Sequence, residues 1–357
     1  MQKKYLFSAV LAALPGQHLL SAEPSIGERL ESTEQRIQYL ENRIRDQDTV
    51  INDNRSSNGW FEHAHIGGVV EVEAGFQNPE DGDSESSLTL ATAELAIALE
   101  ITPVVSSEIV LLYEDDGEEA LDVDIATITL APTESWFINA GQFYVPFGIF
   151  DTQMISDPLT LELGETRETA VQFGMVAGSV SGSIYLFDGD ASENNTSSID
   201  NFGAHLDFAL EGNNHSFTAG LGYINDLGDS DTLIDYAGDV HNRVGGFTFI
   251  AGLHSGPFIV IGEYLGANDE FETGEKPAAY NLEAGYSFSL AGRDTNVAIG
   301  IQGTDDAEGI GLPEEILITA LSLQLFDSTR LGFEYANTED YDGTNSDMVT
   351  VQLASEF

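Results

Sequence analysis

The sequence predicts an all-β protein: a transmembrane antiparallel β-barrel of about sixteen strands, preceded by a short α-helical coiled coil. Three observations predict it. From Trp60 onward apolar and polar residues alternate with a period of two. The breaks between these runs are short and long in turn. Phe357, the last residue, lies on the apolar face of the final run with Val351 and Leu353. Chains handed to the outer-membrane assembly machinery commonly end this way.

Residues 1–22 read as a secretory signal peptide. Lys3 and Lys4 supply the positive start, an apolar run follows, and Leu20, Ser21 and Ala22 precede Glu23. That run is shorter than the ~20 residues a spanning helix needs. Residues 23–52 carry a heptad pattern. Leu30, Ile37, Ile44 and Ile51 fall on one seam position, and Ile26, Thr33, Leu40 and Gln47 on the other. Such a helix self-associates through its seam, so a periplasmic coiled coil and a homo-oligomer are expected. Residues 53–59 are a polar linker.

Residues 60–357 form the expected barrel. In the first run Ile66, Val70, Val72 and Ala74 share one face, with His65, Glu71 and Glu73 opposite. In the second, Ala91, Ala93, Leu95, Ile97, Leu99 and Ile101 oppose Thr92, Glu94 and Glu100. The breaks divide into seven short and eight long in strict alternation. An even-stranded barrel with both ends on one side requires this, and short periplasmic turns with long external loops mark outer-membrane barrels. Closure leaves no strand edge, which hydrocarbon could not satisfy. Aromatic residues near strand ends fit interfacial girdles, among them Trp60, Phe61, Tyr113, Tyr144, Phe147, Tyr185, Phe187, Tyr223, Tyr264, Phe326 and Tyr335.

Composition narrows the chemistry. The chain of 357 residues has no cysteine, which removes disulfides and thiolate sites. It has 12 basic residues against 61 acidic ones, a formal charge of -49. Such acidity argues against nucleic acid as a partner. Only five basic residues follow residue 59: Arg167, Arg243, Lys276, Arg293 and Arg330. Glu71, Glu73, Glu94, Glu108, Glu263, Glu283 and Glu334 fall on the polar, lumen-facing phase. A passage lined this way favours cations over simple anions. Acidic loops also admit a surface role, solvated or bridged to lipopolysaccharide through divalent cations. His63 and His65 share a face, which is at most half of a metal site. The run at residues 188–199 departs from a calcium loop at its sixth and twelfth positions, Glu193 and Ile199. No Gly-x-Ser-x-Gly elbow is present. No enzyme, cofactor or resident metal is expected.

The octamer GQFYVPFG (141–148) ends a strand on Pro146, and clear alternation returns only near Thr169. In the strand count residues 147–168 are the third external loop. Its place in the count resembles the third loop of sixteen-stranded porins, which commonly folds inward, and that resemblance implies Asp151, Asp157, Glu162, Glu165, Arg167 and Glu168 at a pore constriction. An ordinary surface loop is the alternative.

Three stretches carry a family resemblance: TAELAIALEITPVVSSEIVLLYE (92–114), GQFYVPFG, and FDTQMISDPLTLELGETRETAVQFG (150–174). With the signal peptide and coiled coil, the chain resembles the LbtU-type siderophore porins of Gram-negative outer membranes. The octamer is also similar to phosphate-selective porins, whose anion preference calls for basic rings this chain lacks. The resemblance implies a barrel of about sixteen strands in the cell outer membrane and passive uptake of ferric siderophores without a plug domain. The residues themselves imply a porin for small solutes with an acidic lumen. A general cation-preferring porin and a structural or adhesive outer-membrane barrel remain the alternatives.

Overall fold

The computed structural model describes residues 63–357 except 81, 115–120, 190–198 and 238–242. The expected signal peptide, coiled coil and linker lie outside the described residues.

Sixteen strands follow one another: β1 Ala64–Pro79, β2 Glu85–Thr102, β3 Val105–Glu114, β4 Asp122–Thr133, β5 Trp136–Tyr144, β6 Arg167–Ala177, β7 Val180–Phe187 and β8 Asn201–Glu211, then β9 His215–Ile224, β10 Gly246–Ser255, β11 Phe258–Ala267, β12 Ala278–Leu290, β13 Arg293–Asp305, β14 Glu315–Phe326, β15 Thr329–Glu339 and β16 Asn345–Glu356. Each pairs antiparallel with its neighbours in the chain, and β16 closes on β1. The connections alternate between short and long as the sequence predicts. Every central strand thus has both ladder partners, the arrangement a bilayer demands.

The terminal phenylalanine completes the seam. Gly68 N–H donates to the Phe357 carbonyl, and Phe357 N–H donates to the Gly68 carbonyl, each at 3.1 Å. A methyl group added at Gly68 would lie 2.6 Å from the Phe357 ring, so glycine makes room for it.

The outer face is apolar around the wall, with Val70, Leu95, Ile128, Leu206, Phe249 and Leu353 exposed. Aromatic pairs mark both rims. Phe202–Tyr223 and Phe247–Tyr264, with ring centroids 6.2 and 5.9 Å apart, sit at the long-loop end. Trp136–Phe173 and Phe258–Tyr286, at 6.1 and 5.0 Å, sit at the short-turn end. Four aromatics expected in these girdles lie elsewhere, and one of them, Tyr144, packs inward against Ala96, Val110 and Ile125. Phe147, Tyr185 and Phe187 are buried in an interior cluster. Both faces of β7 are apolar near its end, so alternation alone could not say which face meets lipid.

The phase of β2 also differs from expectation. Glu71 pairs with Thr92 and Val72 with Leu90, so Ala91 is the extra residue of a bulge. The bulge turns Leu88 and Leu90 outward, where they are exposed, and buries Ala91.

Candidate functional site

The third long loop starts at a backbone anomaly. Gly141 has φ 141, and a methyl group there would fall 2.0 Å from the Ala126 carbonyl oxygen. Only glycine fits. Val145 N–H then donates to the Thr166 carbonyl at 2.9 Å and closes the base of the loop. Between these residues the chain turns into the barrel.

The outgoing limb crosses the inner wall strand by strand. An irregular segment has no ladder to satisfy its N–H groups, so it needs other acceptors. Inward-facing carboxylates supply them. Glu263 on β11 accepts from Ile149 N–H at 3.1 Å and Phe150 N–H at 3.0 Å. Glu283 on β12 accepts from the Thr152 hydroxyl at 2.6 Å and Gln153 N–H at 2.7 Å. Glu334 on β15 accepts from Ile155 N–H at 2.5 Å, and from Ser156 through its N–H at 3.1 Å and its hydroxyl at 2.5 Å. The limb therefore leaves β5 and ends on β15.

The returning limb contains a short helix, α1, Leu159–Gly164. Gln302 on β13 accepts from Leu159 N–H at 3.0 Å, and Glu263 from the Thr160 hydroxyl at 3.3 Å. Leu159, Leu161 and Leu163 are buried with Phe147 and Phe150 against Tyr185, Ile224 and Leu265 of the wall. Leu227 and Leu233, from the connection between β9 and β10, join the same cluster. That connection carries a 3-10 turn at Leu227–Asp229 and a second helix, α2, Asp231–Ala237. The interior is thus packed with apolar side chains over part of the wall.

Where the loop rejoins β6, charge gathers. Arg167 meets Asp122 at 2.8 Å and the fully buried Asp124 at 3.3 Å. The Tyr144 hydroxyl donates to Asp124 at 2.7 Å. Asp231 accepts from Arg167 N–H at 3.2 Å, and its own N–H donates to the Glu165 carbonyl at 2.9 Å. Glu165 is buried, and among the described residues its Oε2 has no hydrogen-bond partner. Burial first, then the nearby charges of Asp231, Asp157, Asp124 and Glu114, hold the Glu165 carboxyl well above the usual carboxylate range.

The structure places the six loop residues in distinct settings. Asp151 is exposed, Asp157, Glu162 and Arg167 are half-buried, and Glu165 and Glu168 are buried. All seven barrel glutamates occupy the inward phase. Glu71, Glu73 and Glu94 are buried on β1 and β2, and Glu108 is half-buried on β3. Glu73 accepts from the Gln352 amide at 3.0 Å. Glu263, Glu283 and Glu334 hold the loop instead of standing apart from it. Among the described residues no three histidine or acidic groups converge for a metal ion.

Sequence reasoning missed Asp124, Asp231 and Gln302. Asp124 carried a signal. Val123 and Ile125 alternate in one phase and Ile128 and Leu130 in the other, which marks a bulge. The ladder indeed steps from Val110–Ile125 to Leu111–Val123 and leaves Asp124 unpaired and free to turn toward Arg167.

No family model matches this chain. It is 24% identical over 301 residues to a UPF0422 protein of Coxiella burnetii, covering 77% of this chain and 64% of that protein. It is 24% identical over 312 residues to a UPF0422 protein of Legionella pneumophila strain Paris, covering 77% and 59%. The alignments thus span under two thirds of these relatives' own lengths. Among solved structures the barrel is similar to the outer membrane channel DcaP of Acinetobacter baumannii, with a TM-score of 0.58 and 16% identity over 82% of this chain and 97% of that one. It is similar also to an anion-selective porin from Comamonas acidovorans, with a TM-score of 0.62 and 13% identity over 82% and 99%. OmpF of Salmonella typhi, solved as a complex with daunomycin, gives 0.59 and 13% over 82% and 97%. The chain therefore has the fold of outer-membrane porins.

Proposed function

We propose that the protein is a passive outer-membrane channel for small solutes that prefers cations over anions. The observation that carries this reading is the loop folded inside a closed sixteen-strand barrel and bound to its far wall, a device that narrows a passage while leaving the strands intact. The barrel fold by itself does not set the sign of selectivity, since one similar structure is an anion-selective porin. The sign is read from this chain, whose inward phase carries Glu71, Glu73, Glu94 and Glu108 while only five basic residues follow residue 59. Acidic rings favour cations.

The narrower reading of the cargo is a ferric siderophore, supported by the resemblance of residues 92–114 and 141–174 to siderophore porins. A polycarboxylate chelate meets electrostatic repulsion in this lumen, so a chelate of low or positive net charge fits better. In the same reading residues 23–52 stand in the periplasm and associate copies of the chain. Uptake of a labelled iron chelate by cells with and without the protein tests the cargo. Higher uptake with the protein is expected, and equal uptake returns the reading to a general cation-preferring porin.

A further inference from the structure

Glu71, Glu73, Glu94, Glu108, Glu263, Glu283 and Glu334 share the inward phase of this barrel with Glu114 and Glu168, and counting charge would give all of them one role. The geometry points to two. We infer that Glu263, Glu283 and Glu334 are positioning residues that clasp the third loop to the wall, and that they contribute little to ion selectivity. The inference rests on the channel reading.

The first argument is chemical. Every group these carboxylates meet in the loop is a donor: the N–H groups of Ile149, Phe150, Gln153, Ile155 and Ser156, and the hydroxyls of Thr152, Thr160 and Ser156. An ionised carboxylate is acceptor-only with about four lone-pair sites, so it suits an array of donors. Glutamine of the same shape presents two N–H donors to that array and fits badly. The loop closes on these groups with no cation required.

The second argument is steric and independent of charge. The wall beneath the loop is cleared by glycine. A methyl group at Gly222 on β9 would fall 1.9 Å from the Phe147 carbonyl oxygen. At Gly285 on β12 it would fall 1.8 Å from the Gln153 side chain. At Gly300 on β13 it would lie 3.0 Å from Met154, and at Gly332 on β15 2.9 Å from Ile155. The glycine track and the carboxylates follow the same path, the shape of a built seat. Glu73 differs, because its contact from Gln352 is wall to wall.

The test uses the full chain, whose lack of cysteine makes cross-linking clean. Ile155→Cys with Gly332→Cys places a sulfur about where Ile155 Cγ1 now lies, 3.3 Å from the new Cβ. A disulfide is expected under mild oxidation, read as a mobility shift on a non-reducing gel. Adding Glu334→Gln should slow its formation at least tenfold. In bilayers Glu283→Gln and Glu334→Gln should raise closing events at least tenfold, with the cation-to-anion permeability ratio within twofold of the parent. Ser156→Ala removes a donor from the loop and leaves the wall charge untouched. It should raise closing events in the same direction, and it serves where a glutamate variant fails to assemble. The inference is overturned if the glutamine variants lower the permeability ratio with unchanged gating, or if cross-linking ignores Glu334→Gln. Loss of all current with cross-linking as expected would defeat the channel reading and leave the clasp standing.

Discussion

Phe147→Ala tests whether the loop is held as a packed element of its own. Phe147 is fully buried among the apolar side chains of the interior cluster. Truncating a buried phenylalanine costs about 3–5 kcal/mol, through lost transfer energy and the cavity left behind. The residue lies outside every strand, and its N–H donates locally to the Val145 carbonyl at 2.8 Å. The cost should therefore fall on docking of the loop, and little of it on the ladder. At 1.4 kcal/mol per decade, the undocked population rises by about a hundredfold to a few thousandfold. Amide hydrogen exchange read by mass spectrometry resolves this, because local opening and global unfolding expose different amides. Exchange across residues 145–166 should accelerate by that factor, while amides of β12 and β13 keep their protection. Equal acceleration in loop and strands would refute the reasoning, as would unchanged exchange in the loop.

Three further outcomes follow from the same contacts. Glu165 has a raised folded-state pKa, so its protonated form is favoured in the folded protein. Its contribution is fully present below the unfolded pKa and is lost as pH rises through the folded one. Glu165→Gln should therefore show little difference from the parent in acid and become the more stable protein toward neutral pH, measured as denaturant midpoints across that range. Arg167→Met leaves Asp124 with the Tyr144 hydroxyl and no ion pair. Because Arg167 is 30% exposed, the loss should be nearer about 2 kcal/mol than the 3–5 of a fully buried pair, and salt should reduce it. Gly285→Leu drives a side chain into Gln153 and pushes the loop off the wall into the passage, so bilayer recordings should show more closing events and no rise in single-channel conductance.

Much of the fold was legible because lipid imposes it. A period of two and alternating break lengths are both local, and together they fix sixteen strands and their order. Phase was legible only where the two faces differ in polarity. Tyr185 and Phe187 alternate with Ile184 and Leu186, so both faces of β7 are apolar and polarity does not say which face turns inward. The loop's inward course could be expected from its resemblance, as third external loop, to that of sixteen-stranded porins. Its landing places could not, since Phe150 and Glu263 are 113 residues apart in the chain. Nor does residue type separate a glutamate that faces solute from one that faces backbone N–H groups. Glu73 and Glu283 read alike until the loop is in place.

The central claim is a passive channel whose lining favours cations, and the reversal potential in a planar bilayer tests it most directly. With purified protein between unequal potassium chloride solutions, the account predicts stepwise currents and a reversal potential of the sign set by potassium. A reversal potential set by chloride would contradict the charge argument, and the absence of any open-channel current would contradict the channel itself.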